Sequence, residues 1–475
     1  MSTDTDPKWE KKHAWGRLSR EEPPKRAAAD RCADFHEIYA LYDEAKVREQ
    51  ASRCLLCPEP LCVTGCPLQN RIPEWIGLAA EGQFLEAAAL SRSTSNMPEI
   101  CSRVCPQERL CEGACILNGR SEPVPIGAIE KFIQEFAFAH DSVQAAMVPP
   151  NGRRVAVIGS GPAGIACADE LAKRGYAVTV YEAQAVPGGL LMNGIPAFKL
   201  EKEIVHRRID LLRRRGVEFK LGVAVGKDLP LPELRRGCDA VFLGIGAQKP
   251  KALDVPGADL HGVFPALPFL IQKNSALEID LPPIEVAGRR VAVLGGGDTA
   301  MDCLRSAIRG GARETFCIYR RDFANMPGSR KEYHNAVEEG AVFHFLTNPV
   351  ELVGNGHGRV ARVRCVRMEL GAPDASGRRK PVKVRGSEFE LEADVVLAAY
   401  GFDPEPLSQY PGLNDIAVNE WGGVIVNDHQ MTSVPGVFAG GDSVRGPYLV
   451  VHAVRDGRKA ALGIHRYLFG QTAAD

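Results

Sequence analysis

The chain has 475 residues, with 58 Lys and Arg against 59 Asp and Glu and a formal net charge of −1. No excess charge points to nucleic acid or to an acidic surface. No stretch approaches the ~20 apolar residues a membrane helix needs. Met1–Lys12 is polar, without the apolar core of a secretory signal, so the expected location is cytoplasmic, with neither nucleic acid nor membrane as partner. The length predicts roughly two to four domains, with a core large enough to need no disulfide staples.

Up to about residue 140 the chain is rich in Cys and leans helical, with helical periodicity over 81–90 and 126–138. Eight of the fourteen cysteines fall here in two groups, Cys54-x2-Cys57-x4-Cys62-x3-Cys66-Pro67 and Cys101-x3-Cys105-Pro106-x5-Cys111-x3-Cys115. The other six are scattered and read as small core or surface residues. Structural zinc uses paired C-x2-C arms, whereas ferredoxin-like runs pack several Cys close together and share one across clusters. Two [4Fe–4S] clusters are therefore the expectation, with zinc and metal-free thiols as the competing readings.

Val148-Pro149-Pro150-Asn151-Gly152 reads as a linker, and beyond it the pattern becomes strand, Gly-rich turn, helix, strand. Val155–Ile158 is an apolar strand followed by Gly159-Ser160-Gly161-Pro162-Ala163-Gly164, a helix-like run to Arg174, and a β-branched strand ending at Glu182. This is G-x-G-x-x-G between strand and helix, with an acid ~20 residues on. The glycines allow a tight turn and close approach to a pyrophosphate, the helix N-terminus offers free N–H groups, and Glu182 is placed to accept from ribose hydroxyls.

The unit repeats. Arg154–Gly161 resembles Arg290–Gly297, and Asp239–Gly244 resembles Asp394–Ala399. In the second copy Gly295, Gly297, Asp298, Thr299 and Ala300 form G-x-G-x-x-A, but the strand Glu314–Tyr319 ends in Arg320-Arg321 rather than an acid. An arginine there can clamp the 2′-phosphate of NADP, so NADPH is expected in the second site. Thr432–Asp442, with Gly441 and Asp442 behind the strand 437–439, looks like the second flavin motif of two-dinucleotide flavoproteins, which assigns FAD to the first site. The run 449–461 predicts a helix whose N-terminus faces the flavin. His452 reads as a packing or surface residue. No C-x-x-C or C-x-x-x-x-C pair occurs in the flavin region, which argues against a disulfide reductase.

Taken together, the stretches Asp34–Tyr39, Cys66–Trp75, Pro98–Pro106, Gly188–Leu191, Gly194–Leu200 and Met326–Glu332 resemble the small (beta) subunits of bacterial NADPH-dependent glutamate synthase over nearly the whole chain. The wider group includes the N-terminal half of dihydropyrimidine dehydrogenase and the large subunit of a bifurcating NADPH:ferredoxin oxidoreductase. The resemblance implies an α/β fold: an N-terminal α-helical iron–sulfur domain (1–150), then two Rossmann-like, glutathione-reductase-like domains, with the NADPH domain (286–395) inserted in the FAD domain (151–285 and 396–475). It implies crossed clusters, with Cys54, Cys57, Cys62 and Cys115 on one and Cys66, Cys105 and Cys111 on the other. The fourth ligand of the second is matched by Glu130, with Cys101 competing. Gly189 and Leu190 join the flavin loop, where Asn193 replaces the usual aromatic. The implied role is electron input to a large (alpha) subunit that makes glutamate. The chain itself, which does not begin with Cys, is expected to lack amidotransferase chemistry. A pyrimidine-reductase input subunit, a ferredoxin reductase and a non-catalytic flavoprotein scaffold are the rivals.

Overall fold

A computed structural model describes residues 14–274, 282–373, 377 and 379–470; the polar segment 1–12 lies outside them. The N-terminal region is helical. Asp43 starts the helix Glu44–Ser52 by accepting from the Lys46 N–H at 2.7 Å. The helices Ile72–Ala80, Phe84–Thr94, Pro98–Val104 and Ile126–Ala139 follow. Ile126, Ile129, Ile133 and Ala137 recur at helical spacing and are all buried, against a core containing Trp75 and Phe84. The helix expected over 81–90 begins later, at Phe84. Glu81 ends the preceding helix, and Gly82 takes φ +82°, which no helix can continue through.

Beyond the connection, the strands 437–439, 240–243, 154–158, 177–182 and 218–221 form a parallel sheet in that order. A second parallel sheet has the order 263–265, 395–398, 290–294, 314–318, 342–344. The duplication extends to hydrogen bonds. Asp239 accepts from the Arg154 N–H at 2.7 Å, and Asp394 accepts from the Arg290 N–H at 2.9 Å. The last strand of the first sheet comes from the far end of the chain, so the second unit interrupts the first. The second sheet reaches past the expected 286–395 at both ends. Its edge strand Val263–Pro265 precedes that range, and Val395–Ala398 runs beyond it, because parallel pairing with Val291–Leu294 needs all four residues. An antiparallel sheet of strands 347–354, 360–373, 379–383 and 389–392 fills the crossover. The two chain passages between the units pair with each other, Pro250 with Phe402 and Lys249 with Asp403.

The helical domain touches both units. Toward the first, Arg208 forks onto Glu99 with both bonds at 2.7 Å and both side chains buried; removing one partner would cost about 3–5 kcal/mol. Toward the second, Arg31 bonds Glu339 at 2.9 Å, and Glu339 also receives Arg305 and Arg309. Among the described residues no helix is long and apolar enough to cross a membrane.

Candidate functional site

The two glycine turns are built alike. Gly159 has φ +93°, and a Cβ there would lie 2.4 Å from the Gly244 carbonyl oxygen; Gly295 has φ +131°, with the Ala399 carbonyl oxygen at the same distance. Gly164 packs so tightly that a Cβ would meet the Gly159 oxygen at 1.9 Å, while its counterpart Ala300 is fully buried. The middle glycines differ from these: at Gly161 and Gly297 a Cβ would meet nothing within 4 Å. Each of them caps a helix, Pro162–Ala172 or Asp298–Arg309, without a side-chain cap bond. Both turns therefore hold open space before unsatisfied N–H groups, which is what a pyrophosphate requires.

One cavity of about 1670 Å³ joins the two turns. Gly159, Gly161, Pro162, Ala163, Glu182, Gly189, Leu190, Gly441 and Asp442 line its first half, and Gly295, Gly297, Asp298, Thr299 and Arg320 its second. Gly164 and Ala300 stand behind the wall as packing residues. Arg321 turns away: it is buried and donates from Nε to the Arg379 carbonyl at 2.9 Å. Arg320 is thus the arginine that faces the space.

Glu182 Oε2 accepts from the Ser160 N–H at 2.9 Å and the Ser160 hydroxyl at 2.5 Å, and Oε1 accepts from the Gln184 N–H. The carboxylate therefore holds the turn as well as facing the cavity. Burial pushes Asp442 up to about 7, and the Tyr448 N–H donates to its Oδ1 at 3.3 Å. The helix expected from Leu449 runs over Val450–Phe469 with an uncapped N-terminus, and Leu449 and Val450 line the cavity. Asn193 is buried in the same wall. His452 lies outside the lining, stacked edge-on with Tyr448 at 4.6 Å.

The fold crosses the two cysteine groups. Burial, then the neighbouring thiols of Cys54, Cys115 and Cys57, push Cys62 up to about 12, and Cys54 rises to about 11 for the same reasons. Cys105 is raised by its hydrogen bond with Cys101, then by burial and by Cys111 and Cys66. Cys111 is raised by burial and by Glu112, Cys66 and Glu130. Cys54, Cys57, Cys62 and Cys115 therefore gather in one place. Cys66, Cys101, Cys105, Cys111 and Glu130 line an enclosed space in another. Glu130 Oε1 accepts from the Asn70 amide at 3.0 Å and the Ser91 hydroxyl at 2.7 Å, and burial raises its carboxyl to about 7. Cys105 borders both this space and the large cavity, and Val451 lines the enclosed space.

Clustered thiols become thiolates when a cation sits among them, so both sets fit iron–sulfur clusters. All fourteen cysteines are free.

Residues with no sequence motif complete the wall. Lys199 of the first unit bonds Asp302 of the second at 2.9 Å and lies 3.7 Å from Glu332, at the junction of the two halves. Glu108 and Arg109, between Cys105 and Cys111, also reach the cavity. Lys199 and Glu332 fall in stretches that carry the resemblance, but nothing local gives them or Glu108 and Arg109 a place in the wall; the folding of distant segments does.

Residues 31–142 match the family model described as dihydropyrimidine dehydrogenase domain II, 4Fe-4S cluster, and residues 153–457 match pyridine nucleotide-disulphide oxidoreductase. The chain is 46% identical over 461 residues to the glutamate synthase [NADPH] small chain of Escherichia coli, covering 95% of this chain and 98% of that one. This chain belongs to the glutamate synthase small-chain family. The small chain of Azospirillum brasilense is likewise 46% identical, over 455 residues, covering 94% of each chain. Among solved structures, Mycobacterium tuberculosis FprA in complex with NADPH superposes with a TM-score of 0.57 at 23% identity, covering 68% of this chain and 85% of that one, a likeness of fold alone. As a family member the chain is an NADPH-dependent flavin and iron–sulfur oxidoreductase.

Proposed function

We propose that this chain is the electron-input subunit of a cytoplasmic glutamate synthase, oxidising NADPH and delivering electrons to a large (alpha) subunit that makes glutamate from glutamine and 2-oxoglutarate. The observation that carries the reading is the single cavity: both glycine turns and Cys105 open onto it. Gly159–Gly164, Glu182, Gly189, Leu190, Gly441 and Asp442 would hold FAD. Gly295–Ala300 and Arg320 would hold NADPH. Cys54, Cys57, Cys62 and Cys115 would hold an outer cluster, and Cys66, Cys105, Cys111 and Glu130 an inner one, with Cys101 as the rival ligand. FAD, when bound, accepts two electrons and releases them singly, which suits a chain of one-electron clusters.

The residues of the chain set the geometry for this. The two turns would hold the dinucleotides by their pyrophosphates in one cavity, and hydride transfer between them would need alignment more than a general acid or base. The uncapped N-terminus of Val450–Phe469 would stabilise negative charge on a flavin held there. Buried Asn70 and Ser91 both donate to one oxygen of Glu130, which lines the same space as the thiols; an oxygen ligand there would shift the cluster potential.

Anaerobic titration of the purified chain with NADPH tests the reading. The chain should bleach, reduce artificial acceptors and form no glutamate. A pull-down should recover a large amidotransferase-bearing subunit. Glutamate formed by the chain alone, or colourless iron-free protein, would sink the proposal. A dihydropyrimidine-dehydrogenase-type partner is the second reading, favoured by the match over residues 31–142; recovery of an FMN-bearing partner would select it.

A further inference from the structure

The cluster loop reaches into the second nucleotide site. Between Cys105 and Cys111, Glu108 Oε1 accepts from the Ser329 hydroxyl at 2.7 Å and from the Arg330 N–H at 3.1 Å. Arg109 Nη1 donates to the Pro327 carbonyl at 2.5 Å, and its Nη2 lies 3.7 Å from Asp298 Oδ2. The segment they grip is itself laid on the glycine turn: the Gly328 N–H donates to the Gly296 carbonyl at 3.0 Å, and the Ser329 N–H to Asp298 Oδ1 at 2.8 Å. Three segments that are remote in sequence thus meet at the mouth of the second turn.

The charges there are informative. Asp298 sits in the first turn of the helix whose N-terminus faces the open space at Gly297. A carboxylate in that place repels a pyrophosphate. Arg109 stands beside it with 41% of its side chain exposed, and it lines the cavity. Its guanidinium has donors to spare beyond the Pro327 bond. A cation held by one backbone bond, against a carboxylate and before a row of free N–H groups, is arranged to meet an anion.

We propose that Arg109, supplied by the iron–sulfur domain, binds the pyrophosphate of the nicotinamide dinucleotide, so that the loop carrying two inner-cluster thiols completes the second nucleotide site. This rests on the assignment of NADPH to that site. Glu108 is a positioning residue, tying the loop to Ser329 and Arg330. Because binding and cluster share one loop, nucleotide and inner cluster are linked reciprocally.

Equilibrium titration of the full-length holoprotein with NADP+ and with NAD+, followed by the visible spectrum, tests this. Arg109→Ala should weaken both by about ten-fold, the scale of one charge-assisted hydrogen bond, and leave their ratio unchanged, since the pyrophosphate is common to both. Arg109→Gln, which keeps a donor for Pro327 but drops the charge, should lose the same affinity, and Arg109→Lys should recover part of it. Iron and flavin are assayed in each variant, and affinities are compared at matched content. In wild type, NADP+ should alter the inner-cluster EPR spectrum at fixed potential, and Arg109→Ala should abolish the change. Unaltered affinity in Arg109→Gln, or a loss confined to NADP+, would overturn the contact. If Arg320→Ala left the preference for NADP+ over NAD+ unchanged, the assignment of the second site would itself fall, and this contact with it.

Discussion

The two glycine turns share a backbone and differ in what surrounds it. In each, the first glycine lets the carbonyl of a neighbouring strand end approach where a Cβ would stand, the middle one leaves space, and the third position packs helix on strand. The first turn is then closed by an acid, Glu182, bonded to Ser160, and by Gly441–Asp442 from the far end of the chain. The second is closed by a cation, Arg320, and by the iron–sulfur domain through Glu108 and Arg109. The comparison teaches that the repeated turn supplies only a phosphate cradle. Identity of the ligand comes from the residue ending the second strand and from the segments folded over the mouth.

Substituting the middle glycines would test the common part and should give the largest effects. Both have negative φ, and a Cβ at either meets no protein atom within 4 Å, so valine is tolerated by the fold and obstructs only the ligand. Gly161→Val should yield protein with its iron but with flavin bound at least about 100-fold more weakly, about 2.7 kcal/mol, read as flavin per iron after gel filtration. Gly297→Val should keep the flavin and lose NADP+ affinity by a similar factor. If both variants lost the same ligand, the two-site comparison would break.

The next effect sharpens the difference at the second strand. Arg320→Ala should lower the ratio of kcat/KM for NADPH over NADH by about 10- to 100-fold, the range for a charge-assisted contact of about 1.5–3 kcal/mol. Arg321→Ala should leave that ratio within about two-fold, because its side chain is buried and donates to Arg379. A smaller effect is expected on the acid side. Ser160 Oγ donates to Glu182 and accepts from the Gly188 N–H at 2.8 Å. Ser160→Ala should therefore weaken flavin binding by about ten-fold, measured by flavin fluorescence on dilution, and leave NADP+ affinity unaltered.

A last effect concerns stability behind the first turn. Lys202 donates to the Leu191 carbonyl at 3.0 Å and to that of Ile195, and burial lowers its pKa from 10.5 to about 7. The folded-state value lies below the unfolded one, so between roughly pH 7 and 10.5 the unfolded chain binds more protons, and stability from this group rises with pH. Lys202→Met should flatten that rise in the thermal unfolding of the holoprotein. A slope equal to that of wild type would show that Lys202 ionises as it does in water.

Much of this arrangement could be read in the chain. The strand–turn–helix units and the arginines after Ile318 are written within about 30 residues, the span of one βα unit, and the repeat itself marks Asp239 and Asp394 as counterparts. The helix Ile126–Ala139 was legible from its apolar spacing, whereas the start at Phe84 was not, because Gly82 breaks a periodicity that continues through it. Spacing left Arg320 and Arg321 equal; only the antiparallel sheet, by taking Arg321 onto the Arg379 carbonyl, separates them. The resemblance implied the crossing of the cysteine groups, but the spacing of the groups alone does not contain it. Cys115 joins Cys54 and Cys62, and Cys66 joins Cys105, only when the helices pack.

By itself the sequence determined two phosphate cradles, their different strand-end charges and a thiol-rich helical region, because each depends on local backbone freedom and on residue type at short range. Tertiary structure alone decided that both cradles open into one cavity, that Lys199 meets Asp302 across the junction, and that the loop with Cys105 and Cys111 seats Arg109 beside Asp298. Those contacts join segments about 100 to 220 residues apart. They exist because burying the apolar faces of three units against one another fixes their orientation, and no spacing along the chain encodes that.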